Sequence, residues 1–169
     1  DTAVGVVVPG CNSLGPGTMG RYPWATVQTE EFKDANGELL WYALSSNFAN
    51  QADREINTET TGGINIRNTD GTTRYDGTTN DAIVAVILSP GKTFVRNDGF
   101  VQSRSTALER DDPRNYLDIA FGEDNANYTN SSTDGFIAGT IRDDVTNNVI
   151  VNDLMVVITY EEIMNLVRA

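Results

Sequence analysis

There is no histidine in this chain of 169 residues, and its only cysteine is Cys11. The missing imidazole excludes Ser-His and Cys-His nucleophilic dyads, metalloprotease-type zinc sites and His-based acid–base catalysis together. Basic residues are scarce as well. Twelve Lys and Arg stand against 24 Asp and Glu, a net charge of -12, so a phosphate backbone or an anionic membrane surface repels the chain. Nucleic acid is not an expected partner on that ground. Long apolar runs are missing too: Ala82 to Leu88 and Leu154 to Ile158 fall far short of the roughly 20 residues that span a bilayer. There is no initiating methionine and no charged-then-apolar leader, so any targeting segment is expected to have been removed, by cleavage in the cell or by truncation of the chain. Phosphate-binding fingerprints are absent. Gly15 to Gly17 and Gly62-Gly63 lack the following helix and basic residue that such a loop needs, and read as turns.

What is present fits one domain, residues 1–169, long enough to bury a core. The chain is rich in Asn, Thr, Gly and Asp, and its lysines are Lys33 and Lys92, a composition common among secreted bacterial proteins with many turns. Residues 1–23 carry most of the Gly and Pro punctuation and read as an extended loop. Asp34 to Gly37 supply turn chemistry, with Asn36 and Gly37 able to take positive φ. ELLWYALS, Glu38 to Ser45, is dense in aromatic and aliphatic residues and reads as a core strand. Residues 47–54 read as a short helical turn, and Gly62 to Arg67 alternate as a half-buried strand does. Thr72 to Tyr75, flanked by Asp-Gly pairs, continue it as a hairpin or meander. AIVAVILSPG then forms a continuous β-branched run, which belongs in the middle of a sheet.

Residues 92–146 read as a long, mostly irregular and exposed loop region, with a short helix or strand over 114–121. Leu154 to Ile158 form a closing strand. It runs into a helix that Thr159 caps with Glu162 in a capping box, and Ile163, Leu166 and Val167 share one face of that helix.

Site chemistry must be sought among carboxylates, amides and aromatics. A carboxylate pair of the glycosidase type needs two acids about 5 to 10 Å apart in a cleft, and 24 acids on a solvated surface do not by themselves make one. No catalytic residue is therefore assigned. Asp118, Glu123, Asp124, Asn125, Asn127 and Asp134 crowd one region with the hard oxygen donors that Ca²⁺ prefers, although no EF-hand spacing is present. The alternative is a polar loop in which Asn and Asp close local turns. Asn127 and Asn130 match the glycosylation pattern, as chance provides in an Asn- and Thr-rich loop. Tyr22, Trp24, Trp41 and Tyr42 are candidates for a sugar-stacking platform. Trp41 and Tyr42 alternate on a strand, however, so one of them at least is expected in the core.

GRYPWATVQTEEFKDANGELLWYALS resembles the stretch of type IV pilin-like minor pilins and type II secretion pseudopilins in which Gly-Arg-x-Pro-Trp precedes an Asp-x-x-Gly turn and a Leu-x-Tyr strand. The positions here are Gly20, Arg21, Pro23, Trp24, Asp34, Gly37, Leu40 and Tyr42. AIVAVILSPGK, NYLDIAFGEDNAN and NDLMVVITYEEIMNLV resemble later parts of the same family. The likeness runs from Gly20 to the C-terminus and is weakest between Asn50 and Thr79.

This resemblance implies an α+β, pilin-like fold: a mostly antiparallel sheet, containing Glu38 to Ser45, Ile64 to Arg67, Ala82 to Leu88 and Leu154 to Ile158, packed on a truncated N-terminal helix and followed by a short C-terminal helix. It implies a non-enzymatic subunit that assembles or primes a type IV pilus or type II secretion pseudopilus. Its partners would be other pilin or pseudopilin subunits and the inner-membrane assembly platform. The family's membrane attachment is through an apolar N-terminal helix, here expected to lie upstream of Asp1. The implied setting is a periplasmic or extracellular filament, with no cofactor. Cys11 then matches the second half of a short-range disulfide whose partner lies upstream of Asp1, a bridge contributing on the order of 3 kcal/mol for a loop of about 15 residues. Unpaired, Cys11 reads as a small buried hydrophobe. The competing reading is a secreted β-rich binding module that recognises carbohydrate or protein through the 92–146 loops.

Overall fold

The structure is a computed structural model and describes residues 19–48, 59–77, 83–128 and 135–167. Cys11, the candidate glycosylation site Asn130, the calcium candidate Asp134, most of the 1–23 segment and most of the expected turn over 47–54 lie outside the described residues. In chain order the strands are β1 (Met19–Arg21), β2 (Trp41–Leu44), β3 (Asn65–Arg67), β4 (Thr73–Tyr75) and β5 (Ile83–Ser89), followed by helix α1 (Ala107–Asp111) and a 3-10 turn (Pro113–Asn115). After these come β6 (Ile119–Ala120), β7 (Glu123–Asp124), β8 (Gly135–Ile137), β9 (Ile141–Arg142), β10 (Val149–Val151), β11 (Leu154–Thr159) and helix α2 (Tyr160–Val167).

The largest sheet is antiparallel, in the order β1-β2-β5-β11. Its register assigns each side chain to a face, because successive residues of a strand point opposite ways. Arg21, Trp41, Leu88 and Met155 form one row, and Met19, Ala43, Val86 and Val157 the next. These two rows look inward and join a core cluster that also contains Ile64, Ile66, Tyr116, Leu117, Tyr128 and Phe136. The turn expected at Asp34 to Gly37 forms. Asp34 Oδ1 accepts the N–H groups of Asn36 and Glu38, Gly37 takes φ 83°, and Asp34 Oδ2 accepts the N–H of Gly91 from the turn after β5.

A second sheet has the order β4-β3-β8, with β3 and β8 parallel. Two-stranded ribbons, β6-β7 and β10-β9, lie beside these sheets in the topology of the described residues.

The structure corrects the expected fold class. The described residues are mostly β, 34 % strand against 12 % helix, and α2 is the one helix of seven residues or more among them. A pilin-like α+β arrangement with a sheet packed on a long helix is not what they form. The inner face of the large sheet is covered instead by β3, β8 and the chain around 116–128. The helix entered only through the family resemblance, and no described residue supplied it. Three finer expectations change as well. The strand at 64–67 belongs to the second sheet, touching the first through the bridge between Ile64 and Ile83. Residues 92–146 are not a uniformly exposed loop region: they place Arg96, Tyr116, Leu117, Tyr128, Phe136 and Ile137 in the interior. In α2 the capping box forms between Thr159 and Glu162, but Met164 turns inward while Leu166 is 78 % exposed.

Candidate functional site

The region flagged for calcium is where the structure concentrates buried polar groups. Asp118, Glu123, Asn125 and Asp153 are all buried. Each is engaged by protein donors. Asp118 accepts the amide of Gln102 at 3.1 Å and the N–H of Asn152 at 2.7 Å. Asp153 Oδ2 accepts the N–H of Asp118 at 2.8 Å and the side-chain amide of Asn125 at 2.9 Å. Asn125 also grips β8 in both directions, donating to Ile137 O and accepting the Ile137 N–H at 2.8 Å. Glu123 pairs with Arg67, and Asp124 binds the guanidinium of the buried Arg96 at 2.6 Å.

These contacts bring four segments together: the 116–118 loop, the turn after β7, strand β8, and the Asn152-Asp153 turn between β10 and β11. Of the calcium candidates, Asp118, Glu123, Asp124 and Asn125 thus serve as internal cross-links, and Asn127 is exposed at the rim. Among the described residues no group of three acidic or thiol side chains is placed to hold a metal ion. The turn reading of the loop is the one the geometry matches: Asp124 Oδ1 accepts the N–H of Ala126, two residues on.

Burial shapes the electrostatics of this junction. It pushes the Asp118 carboxyl up to about 6, against hydrogen bonds from Asn152 and Gln102 that favour the anion. Asp153 lies well above the ordinary value of 3.8, through burial first and then the charge of Asp118. Asp153 Oδ1 has no hydrogen-bond partner among the described residues, nor do Nε and Nη1 of Arg96. Sequence reasoning missed Asp153 and Arg96. The available signal for Asp153 was a single acid set between two apolar strands, Val149–Val151 and Leu154–Thr159. For Arg96 no signal was available.

The aromatic candidates separate as the strand geometry requires. Trp41 is buried, with the Arg21 guanidinium 4.2 Å from its ring centre and 3.9 Å from that of Tyr116. Tyr42 points to the other face. Tyr22 lies 6.2 Å from Phe32, tilted against it. In residues 92–146, Tyr116, Tyr128 and Phe136 are core residues, and Phe121 at the tip of the β6-β7 ribbon is the exposed aromatic among those described. No aromatic platform forms there. A surface depression of about 300 Å³ between 95–99 and 143–150 contains one acid, Asp143, whose carboxylate is taken by Val145 and Thr146, so no acid pair is formed in it.

The remaining feature is the outer face of the large sheet. Its rows are Gly20, Tyr42, Ile87 and Val156, then Leu44, Ala85 and Ile158, with Leu154 opposite Ser89. Six aliphatic side chains and one tyrosine thus lie on this face, and Tyr42, Leu44, Ala85, Ile87 and Ile158 among them are half-buried. Within it Leu154 is 58 % and Val156 62 % exposed. Among the described residues strand β11 is also the last strand of the sheet, and it carries no charge or proline along LMVVIT, the devices that ordinarily protect an edge.

No family model matches the chain, and comparison with curated proteins and with solved structures finds no match.

Proposed function

We propose that this chain is a non-enzymatic structural subunit, of the minor pilin or pseudopilin kind, that works by packing the outer face of its large sheet against a neighbouring subunit of a type IV pilus or type II secretion pseudopilus. The observation that supports this reading is the apolar outer surface ending at the uncharged strand β11. Exposed aliphatic side chains on a strand that is an uncharged edge among the described residues are an aggregation hazard unless a partner covers them. The net charge of -12 supports the same choice of surface, because like-charged neighbours meet least repulsion where no charge stands. On this reading the subunit acts in the periplasm or outside the cell, and its partners are other subunits and the assembly platform.

The test is Val156→Lys, co-expressed with pilin or pseudopilin subunits and their assembly platform. The exposed position lets the variant keep the wild-type melting curve, while co-purification with those proteins and filament formation drop at least tenfold. Wild-type assembly by Val156→Lys would refute the proposal. The alternative, a binding module acting through residues 92–146, is not favoured by any specific observation, since Tyr116, Tyr128 and Phe136 are in the core, Phe94 and Phe100 are half-buried, and Phe121 is the exposed aromatic of that region among the described residues.

A further inference from the structure

We propose that Asp118 and Asp153 form a pH-sensitive clasp, which fastens the β10-β11 turn to the loop ahead of β6 while the pair holds a proton and loosens when both carboxyls ionise. The geometry is reciprocal. Asp118 binds the backbone of Asn152, and Asp153 binds the backbone of Asp118, so each carboxyl secures the segment that carries the other. Both side chains are fully shielded from water.

The charges around the pair do not balance two anions. The cation that acts on both carboxyls is Arg96, and its Nη2 is already held by Asp124 at 2.6 Å, with Asp98 at 3.7 Å. The other charged group nearby, Glu123, faces Arg67. Gln102, Asn125 and Asn152, which touch the pair directly, are neutral. One oxygen, Asp153 Oδ1, meets no donor among the described residues. A bare carboxylate oxygen in a dry interior is costly, and two buried carboxyls that must draw on one already engaged cation resist ionising together. The upward displacement of both groups by burial agrees with this geometry.

The sign follows from linkage. Folded protein keeps a proton that the unfolded chain has released at the same pH, so the stability it confers is complete below about 3.8 and is lost as pH rises through the folded values, about 6 for Asp118 and likewise raised by burial for Asp153. The absence of histidine makes this readable. With no imidazole, ordinary side chains are silent between about pH 5.5 and 7.5, and a stability change in that window points to displaced carboxyls.

Urea unfolding of the wild type and of Asp153→Asn at about pH 5, 6, 7 and 8 tests the clasp. The wild-type unfolding constant is expected to rise with pH, by up to tenfold per unit for each proton released, and the slope to fall by at least half in Asp153→Asn. A flat wild-type profile, or an equal slope in the variant, overturns the proposal. If Asp153→Asn does not fold, carboxyl-carbon NMR titration of the wild type decides. An aspartate midpoint above about 5.5 at Asp118 or Asp153 supports the clasp, and none above that value overturns it.

Discussion

Asp34 accepts backbone N–H groups from Glu38, Asn36 and Gly91, so one short side chain closes its own turn and ties it to the turn after β5. Burial pushes its carboxyl up, but these three donors outweigh burial and hold it below the ordinary 3.8. Asp34→Ala leaves three N–H groups to find new partners and is expected to cost about 1 to 3 kcal/mol, measured as a shift in urea midpoint at neutral pH. Asp34→Asn retains one acceptor oxygen and is expected to lose less. A cost near zero for Asp34→Ala would mean that water replaces all three bonds.

At the scale of elements, the pairing of β3 with β8 depends on close backbone approach. A Cβ placed on Gly135 would meet Asn65 O at 2.7 Å and Asn65 Cβ at 2.9 Å, and neither atom can move without shifting β3. Gly135→Ala is therefore expected to destabilise the protein by about 1 to 3 kcal/mol through overpacking, with loss of amide-exchange protection in β3 and β8 and little change in β11. Unchanged protection in β3 would contradict the tight approach. Elements closed by local chemistry were readable beforehand: the Asp34–Gly37 turn, β2, β5, β11 and the Thr159–Glu162 box each announce themselves within a few residues. The parallel pair β3-β8 was not readable, because Asn65 and Gly135 are far apart in the chain and nothing local to either names the other. The inward turn of Met164 was missed for a related reason. Periodicity marks an apolar face, and only packing decides which of its members reach the core.

Across the whole molecule two sets of carboxyls oppose each other. Thr106 holds Glu109 below its ordinary value, and Thr72, Thr146 and Thr159 do the same for Asp70, Asp143 and Glu162. Arg114 lowers Asp112. Lowered groups contribute stability above their unfolded values that is lost as pH falls through the folded ones, whereas the raised pair loses its contribution as pH rises. Maximum thermal stability is thus expected in mild acid, on the order of pH 5, and a melting temperature that climbs steadily to pH 8 would disprove this. Self-repulsion of the net charge of -12 adds a loss of the same sign at neutral pH, but salt screens exposed charges far more than buried ones. The slope that survives in roughly 0.5 M salt belongs to Asp118 and Asp153.

Composition and short-range pattern alone determined several things about this protein: no histidine chemistry, an acidic exterior, the turns, the apolar strands and the cap of the last helix. Each rests on residues that are neighbours in the chain or on the count of a residue type. Tertiary structure decided the rest. It removed the expected long helix from the described fold, converted candidate calcium ligands into cross-links, buried Arg96, and set Asp153 against Asp118. These outcomes depend on which distant segments meet and how much water remains between them, and that is a property of the packed chain that no window of the sequence contains.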